Sequence, residues 1–398
     1  MEPVIRKDFN QKFTQEKYQS YIQLIENVQG GPLQFRIAET PLFINKNFGK
    51  TLLEAGNNVC KQLTNNSFIQ QTNEAIPAYA FTKNETPLPA CLVIDFAIAY
   101  NDQKEIVPKL IELQGFPSLF AFEILQNKAI EQIFEIPDNY TPFLNDYDQD
   151  KYIQHLKKIL FGLENKHTIL LEIKPEEQKT KIDFYYTQEL IGIPIVCISE
   201  TFEKDGCLFY NQNGQDIQIE RIYNRMVFEE LQIQDANIIE KWNTIRNIDT
   251  IEWVTHPHHF FRFSKYSMPF LNGESIPKTQ FLDKVKQMPT QLDQYILKPL
   301  FSFAGQGVII DLTEEIIQGI KDPANWILQE KVEYAPVVDT PTGPTKAEIR
   351  LFYFWDDASK QYMATMNLTR LSKGKMIGVN HNKTATWVGG SLAYFETK

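Results

Sequence analysis

Residues 295–310 read YILKPLFSFAGQGVII, and this stretch decides how the rest of the chain is interpreted. Its pattern predicts an apolar strand that ends at Lys298, a loop of small residues over 302–307, and a second strand. Because glycine accepts positive φ values and has no Cβ, such a loop can bring backbone N–H groups close to a phosphate chain, with Lys298 as a fixed positive charge beside it. The glycines follow the lysine instead of preceding it, so the stretch is not a P-loop. The alternative is a plain hairpin with a flexible tip and a surface lysine.

The composition bounds the class of protein. A chain of 398 residues with 43% hydrophobic and 13% aromatic residues has enough apolar side chains for two or three domain cores. A net charge of −10, with acids and bases well mixed, argues against a nucleic-acid partner, which would need a basic face. No apolar run approaches the ~20 residues that span a bilayer, so no membrane partner is expected. The four cysteines form no CxxC pair and the N-terminus has no apolar signal core, so we expect a cytoplasmic protein with reduced thiols.

Two early segments predict neighbouring buried strands. The run Cys91–Tyr100 is almost continuously apolar and holds one acid, Asp95. The run 106–115 is similar and carries Glu112 and Gln114 near its end. Farther along, residues 167–200 show a strand, a helix that Pro175 opens and Gly192 ends, and a second strand, which is a βαβ pattern. Residues 226–246 then predict a further helix.

Residues on both sides of the opening stretch extend the phosphate hypothesis. Lys265 lies 33 residues before Lys298, and by itself it would be read as a surface lysine. After the loop, a helix over 313–321 leads to a strand and a mixed acidic and apolar segment over 326–333. Such a segment can pair its backbone with the edge of an adenine, while Glu333 accepts hydrogen bonds from ribose hydroxyls. The alternative is an edge strand with solvated glutamates.

Two arginines lie on strands that we expect to be neighbours. One strand contains Glu348-Ile-Arg350, and the next contains Asn367-Leu-Thr-Arg370. The two guanidiniums can converge on one anionic group. The alternative is that both are exposed and paired to surface acids.

The order of these elements resembles the ATP-grasp superfamily of carboxylate ligases. The matching positions, in sequence order, are Lys265, Lys298-Pro299, the glycine-rich loop, Gln329-Glu330, Glu348-x-Arg350, Arg370, Asn380 and Gly389-Gly390. That family's last element, an acid-bearing strand followed by Glu-x-Asn, is missing from the C-terminal end. An element of that form occurs early instead, as Asp95 followed by Glu112-Leu-Gln114. The displacement resembles the circularly permuted enzymes of the glutathionylspermidine synthase type, and the resemblance covers about 91–118 and 166–398.

The resemblance implies that Asp95, Glu112 and Gln114 hold Mg²⁺, which prefers oxygen ligands. Residues i and i+2 of a strand share a face, so Glu112 and Gln114 can reach one ion. The chain departs from the family in three ways. Gln114 replaces the usual Asn, the arginine expected just before Asp95 is absent, and the amidase half of the bifunctional members has no counterpart. The last departure removes a hydrolytic activity from consideration.

The resemblance also implies roles in ATP binding and catalysis. Lys265 and Lys298 would bind the α and β phosphates, and Arg350 or Arg370 would stabilise an acyl phosphate. The remaining nucleotide contacts would come from the loop and from the strand that follows it, namely Ser302, Gly305, Gln306, Gly307, Gln329, Glu330, Val332 and Glu333.

We therefore expect an α/β protein with a circularly permuted ATP-grasp core, a Rossmann-like pre-ATP-grasp domain and a helical N-terminal region. The expected divisions are 1–90 (helical region), 91–165 (permuted metal-binding strands and connecting helices), 166–250 (pre-ATP-grasp domain) and 251–398 (nucleotide-binding lobes). The expected activity is ATP-dependent ligation of a carboxylate to an amine, such as an amino acid, a peptide or a polyamine, through an acyl phosphate. A decayed ATP-binding module and a phosphotransferase are the alternatives.

The stretch His256-Pro-His258-His259 invites a zinc interpretation. No further Cys or His cluster accompanies it, and a tetrahedral zinc site needs three or four ligands. We expect a segment that passes from strand to loop with ordinary histidines.

Overall fold

A computed structural model describes residues 2–116, 119–164, 166–302, 305–375, 377 and 385–397. The α-helices in these ranges are α1 (Pro3–Lys12), α2 (Gln15–Glu26), α3 (Lys46–Leu63), α4 (Asn66–Gln71), α5 (Phe122–Ile133), α6 (Gln149–Phe161), α7 (Lys181–Ile191), α8 (Phe228–Leu231), α9 (Ala236–Ile245), α10 (Pro257–Arg262) and α11 (Glu314–Gln318). No helix of the described ranges is both long and apolar enough to cross a bilayer.

The strands of the described ranges fall into five sheets. They are β1 (Leu42–Ile44), β2 (Cys91–Tyr100), β3 (Ile106–Gln114), β4 (Tyr140–Thr141), β5 (Thr168–Glu172), β6 (Ile195–Cys197), β7 (Thr201–Lys204), β8 (Cys207–Gln212), β9 (Gln215–Ile219), β10 (Arg221–Asn224), β11 (Glu252–Trp253), β12 (Thr279–Phe281), β13 (Tyr295–Pro299), β14 (Trp326–Glu330), β15 (Lys346–Asp356), β16 (Gln361–Ser372), β17 (Gly389–Ser391) and β18 (Ala393–Glu396). The expectation of a mixed α/β class is confirmed.

The central sheet joins strands that are far apart in the sequence. Its order is β17-β16-β15-β2-β3, and all its neighbours are antiparallel. Both early strands occur where their apolar runs predict them, and they pair with each other. β2 also pairs with β15, so that Asp95 lies opposite Arg350. This register brings the early acids next to the late arginines.

Each face of the central sheet is covered by its own apolar core. On one face, Ile94 and Leu351 pack with Leu52 and Val59 of α3. On the other face, the ring of Phe120 meets that of Phe352 edge-on, at 4.7 Å between centroids. Burial of each such side chain contributes about 1.5–3 kcal/mol to the stability of the fold. The packed sheet therefore holds the polar groups at its end in fixed positions.

The parallel sheet β11-β10-β5-β6 contains the predicted βαβ unit over 168–197. Its helix ends before Gly192, which has a φ of +92°, as the sequence predicts. The helix begins at Lys181 instead of Pro175, because Pro175 opens a short 3₁₀ turn. A second expectation, one continuous helix over 226–246, is wrong. The chain breaks between α8 and α9, where the Asp235 side chain caps the new helix by accepting the N–H of Ile238.

Two further segments differ from the sequence-based expectation. The N-terminal region is largely helical, but it also contributes β1, which pairs in parallel with β18 near the other end of the chain. The histidine stretch is a short helix, α10, instead of a strand passing into a loop, and His256 caps it by accepting the N–H of His258.

A third, smaller sheet, β12-β14-β13, carries two predicted site residues, Lys298 and Gln329. The sequence predicts a second strand after the glycine-rich loop. In the structure this segment pairs with β13 through an isolated antiparallel bridge between Leu297 and Ile309.

The packing of α3 against the central sheet generates a stability prediction. A Cβ added at Gly56 would overlap Oη of Tyr353, which is buried and has no hydrogen-bond partner in the part of the chain that the structure describes. We expect Gly56→Ala to lower the free energy of unfolding by about 2 kcal/mol, although alanine favours helices. Tyr353→Phe should be neutral or slightly stabilising, and it should restore most of the loss in the double variant. Denaturant unfolding of the parent, the two single variants and the double variant measures the coupling between Gly56 and Tyr353. If Gly56→Ala lowers the free energy of unfolding equally in the parent and in Tyr353→Phe, the overlap described above is contradicted.

Candidate functional site

A cavity of about 370 Å³ lies between the small sheet and one end of the central sheet. Its size is within the usual range for pockets that bind small molecules. The polar and charged residues on its wall come from distant parts of the chain, and they include Glu112, Lys265, Lys298, Gln329, Glu348 and Arg370. The structure therefore brings together residues that the sequence analysis selected one by one.

Two buried lysines face this cavity from different elements. Lys298 is on β13, and its Nζ donates to the carbonyl oxygen of Ile111 at 2.9 Å. Burial lowers the pKa of Lys298 to about 8; the nearby carboxylate of Glu112 opposes this shift and the charge of Lys265 adds to it. Lys265 begins a 3₁₀ turn, and its Nζ donates to the carbonyl oxygen of Ser302 at 2.6 Å.

Asp95 is the buried centre of the charged cluster. The Nε and Nη2 atoms of Arg350 donate to its two carboxylate oxygens at 2.6 and 2.7 Å. Arg370 donates to one of the same oxygens and also to Glu348. Burial opposes ionisation of Asp95, but the two guanidiniums outweigh it and lower the pKa of Asp95 to about 2. The arginines do converge on one anionic group, and that group is a side chain of the protein.

Glu348 shares Arg370 with Asp95. Burial raises the pKa of Glu348, and the charge of Asp95 adds to this while Arg370 opposes it. The second oxygen of Glu348 accepts a hydrogen bond from the hydroxyl of Tyr334 at 2.7 Å. The Nε atom of Arg370 is buried and has no partner among the described residues, so this guanidinium keeps a donor for a bound molecule.

Glu112 and Gln114 lie on the same face of β3, as their spacing predicts. The amide nitrogen of Gln114 donates to Glu112 at 3.1 Å. Glu112 also lies 3.7 Å from Arg350 and 3.8 Å from Lys265. Its side chain is 20% exposed, whereas that of Asp95 is 1% exposed.

Several oxygen atoms in and beside this cavity are suitable partners for Mg²⁺ or for ATP. Glu112 lines this cavity, and Gln114 lines a neighbouring hollow that Glu112 and Lys265 also line. Both side chains offer oxygen atoms, which suits Mg²⁺. Both oxygens of Asp95 accept bonds from arginines, so Asp95 can join them as a metal ligand only if a guanidinium moves. For ATP, the Oε1 atom of Gln329 is buried beside the cavity and has no partner within the described ranges, and an adenine amino group is a suitable donor to it.

The predicted adenine segment lies only partly on the cavity. Gln329, Val332 and Glu333 line it. Glu333 also forms an exposed ion pair with Lys104 at 2.7 Å. Glu330 lines a neighbouring hollow, and it accepts the N–H of Lys278 at 3.1 Å.

The glycine-rich loop is described in part. Gly305 lines the cavity, and both Gly305 and Gly307 have positive φ values, of +74° and +73°. Gln306 is exposed between them, and the hydroxyl oxygen of Ser302 is buried without a partner among the described residues. Residues 303–304 of this loop and the predicted site residue Asn380 lie outside the described residues.

Several cavity residues were not found from the sequence, among them Lys346, Lys331 and Tyr334. Lys346 precedes Glu348 by two positions on β15, so the two-residue period of a strand pointed to it. Lys331 and Tyr334 belong to an irregular segment after β14, where no period identifies the residues that face inward.

The stretch His256-Pro-His258-His259 forms a hydrogen-bonded cluster with the segment 82–86. Suitable atoms of Glu85, His256 and His258 lie within 4.8 Å of one another, which is a spacing that a metal ion could use. Each ring nitrogen of His256 already has a partner: Nδ1 accepts the N–H of His258, and Nε2 bonds the carbonyl oxygen of Lys83. His258 accepts the N–H of Thr82 and lies 2.9 Å from Glu85. These bonds fasten the segment 82–86 to α10.

Comparison with known proteins finds similarity to solved structures but not to curated sequences. No family model and no curated protein matches the sequence significantly. Among solved structures, the chain is similar to a glutathione synthetase-like effector from Globodera pallida, determined in its apo form. The TM-score is 0.58 and the identity 10%, and the match covers 96% of each chain. At this identity the likeness shows the fold alone, a mixed α/β architecture similar to that of a glutathione synthetase-like protein.

The Asp95 cluster predicts a specific dependence of stability on pH. We expect Asp95→Asn to lower the free energy of unfolding by about 3 kcal/mol at pH 7, because the guanidiniums of Arg350 and Arg370 lose the buried negative charge that they share. The folded pKa of Asp95 is about 2 and its ordinary value is 3.8. Its stabilisation is therefore complete above pH 4 and is lost as the pH falls through 2, so the gap between parent and variant should close in that window.

The measurement is urea unfolding at several pH values. The exposed Asp102 gives the matched control, since Asp102→Asn should change stability by less than about 0.5 kcal/mol. A gap for Asp95→Asn that stays constant from pH 5 to pH 2 would show that the ionised carboxylate does not hold the arginines.

Proposed function

We propose that the chain is an ATP-dependent ligase that joins a carboxylate to an amine through an acyl phosphate. The observation that carries this proposal is the single cavity in which Glu112, Lys265, Lys298, Glu348 and Arg370 meet. The fold, similar to that of a glutathione synthetase-like protein, supports the same conclusion.

We propose further that the core is a circularly permuted ATP-grasp core of the glutathionylspermidine synthase type. The order of the central sheet supports this, since β2 and β3 come early in the sequence but complete a sheet made of the last strands. The divisions expected from the sequence, at about residues 90, 165 and 250, are part of this proposal.

The charge balance of the site suits a polyphosphate. The cluster contains four basic side chains against three carboxylates, namely Lys265, Lys298, Arg350 and Arg370 against Asp95, Glu112 and Glu348. Like charges that are held together in a buried site favour the binding of an opposite charge. A bound ATP would therefore stabilise the charged form of Lys298.

In this proposal the residues of the chain mainly position and stabilise charge. Lys265 and Lys298 would hold the α and β phosphates, and Glu112 and Gln114 would supply oxygen ligands to Mg²⁺. When bound, Mg²⁺ would neutralise charge that develops on the transferring phosphoryl group. Asp95 fixes the planes of Arg350 and Arg370, so that the free donors of these guanidiniums would stabilise the acyl phosphate without reorganisation.

One observation favours a second candidate, a catalytically decayed ATP-binding module. Both oxygens of Asp95 are engaged by arginines, so the most buried of the three proposed metal ligands already has partners. Such a protein would bind ATP but would not turn it over.

The depressed pKa of Lys298 predicts how ATP binding depends on pH. We expect Lys298→Ala to weaken ATP binding by more than tenfold, about 1.4 kcal/mol. In the parent, affinity should fall as the pH rises above 8, by up to about tenfold per unit, because binding then requires uptake of a proton. Lys298→Arg should remove this dependence, since arginine stays protonated.

Isothermal titration calorimetry between pH 7.5 and 9.5, in buffers of different ionisation enthalpy, measures both the affinity and the proton uptake. If the affinity for ATP is unchanged in Lys298→Ala, the nucleotide does not bind in this cavity.

The metal ligands generate a prediction about turnover. Glu112→Gln should abolish Mg²⁺-dependent ADP release, because a carboxylate is lost where phosphate charge must be balanced. Gln114→Asn should preserve it, because the oxygen donor is kept on a shorter side chain. The assay follows ADP release with a panel of carboxylic acids, amino acids, short peptides and polyamines, and hydroxylamine traps an acyl phosphate as a hydroxamate.

The outcomes separate the candidate functions. Turnover without a hydroxamate indicates a phosphotransferase. ATP binding without turnover for any substrate indicates the decayed module, and equal turnover for Glu112→Gln and the parent would contradict the metal assignment.

A further inference from the structure

A second and larger cavity, of about 910 Å³, lies next to the proposed nucleotide cavity. It is enclosed by α2, by the segment 33–37, by the beginning of α5 and by β16 and β17. Arg370 lines both cavities, and Arg350 lines the larger one. The side of the arginine pair that faces away from the lysines therefore opens on a space that can hold a second substrate.

The wall of this second cavity is mainly apolar. Its hydrophobic side chains come from the N-terminal region, from α5 and from the central sheet, and they include Ile22, Leu33, Phe35, Leu119, Phe122 and Leu368. The rings of Phe35 and Phe122 meet edge-on at 5.3 Å between centroids. A small polar molecule would leave most of this apolar surface in contact with water, whereas a large apolar body would cover it.

The acidic groups of this cavity do not suit a cationic substrate. Glu123 is 1% exposed, and burial raises the pKa of its carboxyl well above the ordinary value, which makes it a weaker partner for a cation. Glu26 uses one carboxylate oxygen to accept the N–H of Leu33 at 2.9 Å. The basic groups of this wall, by contrast, include Arg350 and Arg370, and Arg370 also lines the nucleotide cavity. The charge distribution favours a molecule with one anionic end, and it disfavours a polyamine in this space.

We propose that the carboxylate substrate carries a large apolar body, such as a medium-length alkyl chain or an aryl group, which occupies this second cavity. This inference rests on the proposed ligase function. The carboxylate end would lie against Arg350 and Arg370, at the boundary with the nucleotide cavity. The N-terminal region, which the sequence analysis expected only to be helical, supplies much of the binding wall.

The proposed reaction has two steps. A carboxylate oxygen attacks the γ-phosphorus of ATP, the bond from that phosphorus to the β,γ-bridging oxygen breaks, and ADP leaves. The product is the acyl phosphate of the apolar acid. An amine nitrogen attacks the acyl carbon, the carbon–oxygen bond to phosphate breaks, and the nitrogen loses a proton. The products are an amide, phosphate and a proton.

The test measures the binding of straight-chain carboxylates from acetate to decanoate, by calorimetry on the full chain with Mg²⁺ and a non-hydrolysable ATP analogue present. We expect affinity to increase by about fourfold per added methylene until the cavity is filled. Ile22→Trp should abolish this increase and leave the affinity for the ATP analogue unchanged. Ile233→Trp is the matched control, because Ile233 is 82% exposed and outside the cavity, and it should keep the full increase.

The results distinguish this inference from the proposed function. An affinity that does not change with chain length overturns the inference, as does an increase that survives in Ile22→Trp. If glutamate or a short peptide supports ADP release while apolar acids neither bind nor react, the inference fails and the ligase function stands. If apolar acids bind with the expected dependence but no acid in the panel gives a hydroxamate, the apolar pocket stands and the ligase function fails.

Discussion

The buried bridge from Asp95 to Arg350 and Arg370 is the interaction on which the rest of the site depends. It joins three neighbouring strands, β2, β15 and β16, one of which is separated from the others by about 250 residues of sequence. A carboxylate that is 1% exposed has a large desolvation penalty, which only well-placed partners can offset. The two guanidiniums are in turn held in fixed planes between two cavities.

This arrangement places the two proposed substrates on opposite sides of the same pair of arginines. Lys265 and Lys298 line the smaller cavity, and the larger cavity extends toward the N-terminal helices. For a group transfer, most of the catalytic gain comes from holding the two reacting groups in place and from donors that are already oriented toward developing charge. An arginine held at the boundary by a buried acid meets both requirements.

The sequence predicted local elements well and long-range arrangement less well. β2 and β3 were found to within a residue, because nearly continuous apolar runs bounded by polar turns identify buried strands. The break between α8 and α9 was missed, because the Asp235 cap lies inside an otherwise helical pattern. The register between distant strands decides which hollow the side chain of Glu330 lines and which residues bond to Asp95. No local sequence pattern encodes this register. The wall supplied by the N-terminal region was missed for the same reason.

The most direct test of the central claim is a crystal structure of the chain with Mn²⁺ in place of Mg²⁺ and a non-hydrolysable ATP analogue. The account predicts the triphosphate between Lys265 and Lys298, the adenine against Gln329, and an anomalous Mn²⁺ peak at about 2.1 Å from an oxygen of Glu112. A nucleotide bound elsewhere on the molecule, with Lys298 still bonded to the carbonyl oxygen of Ile111 and no metal near Glu112, would contradict it.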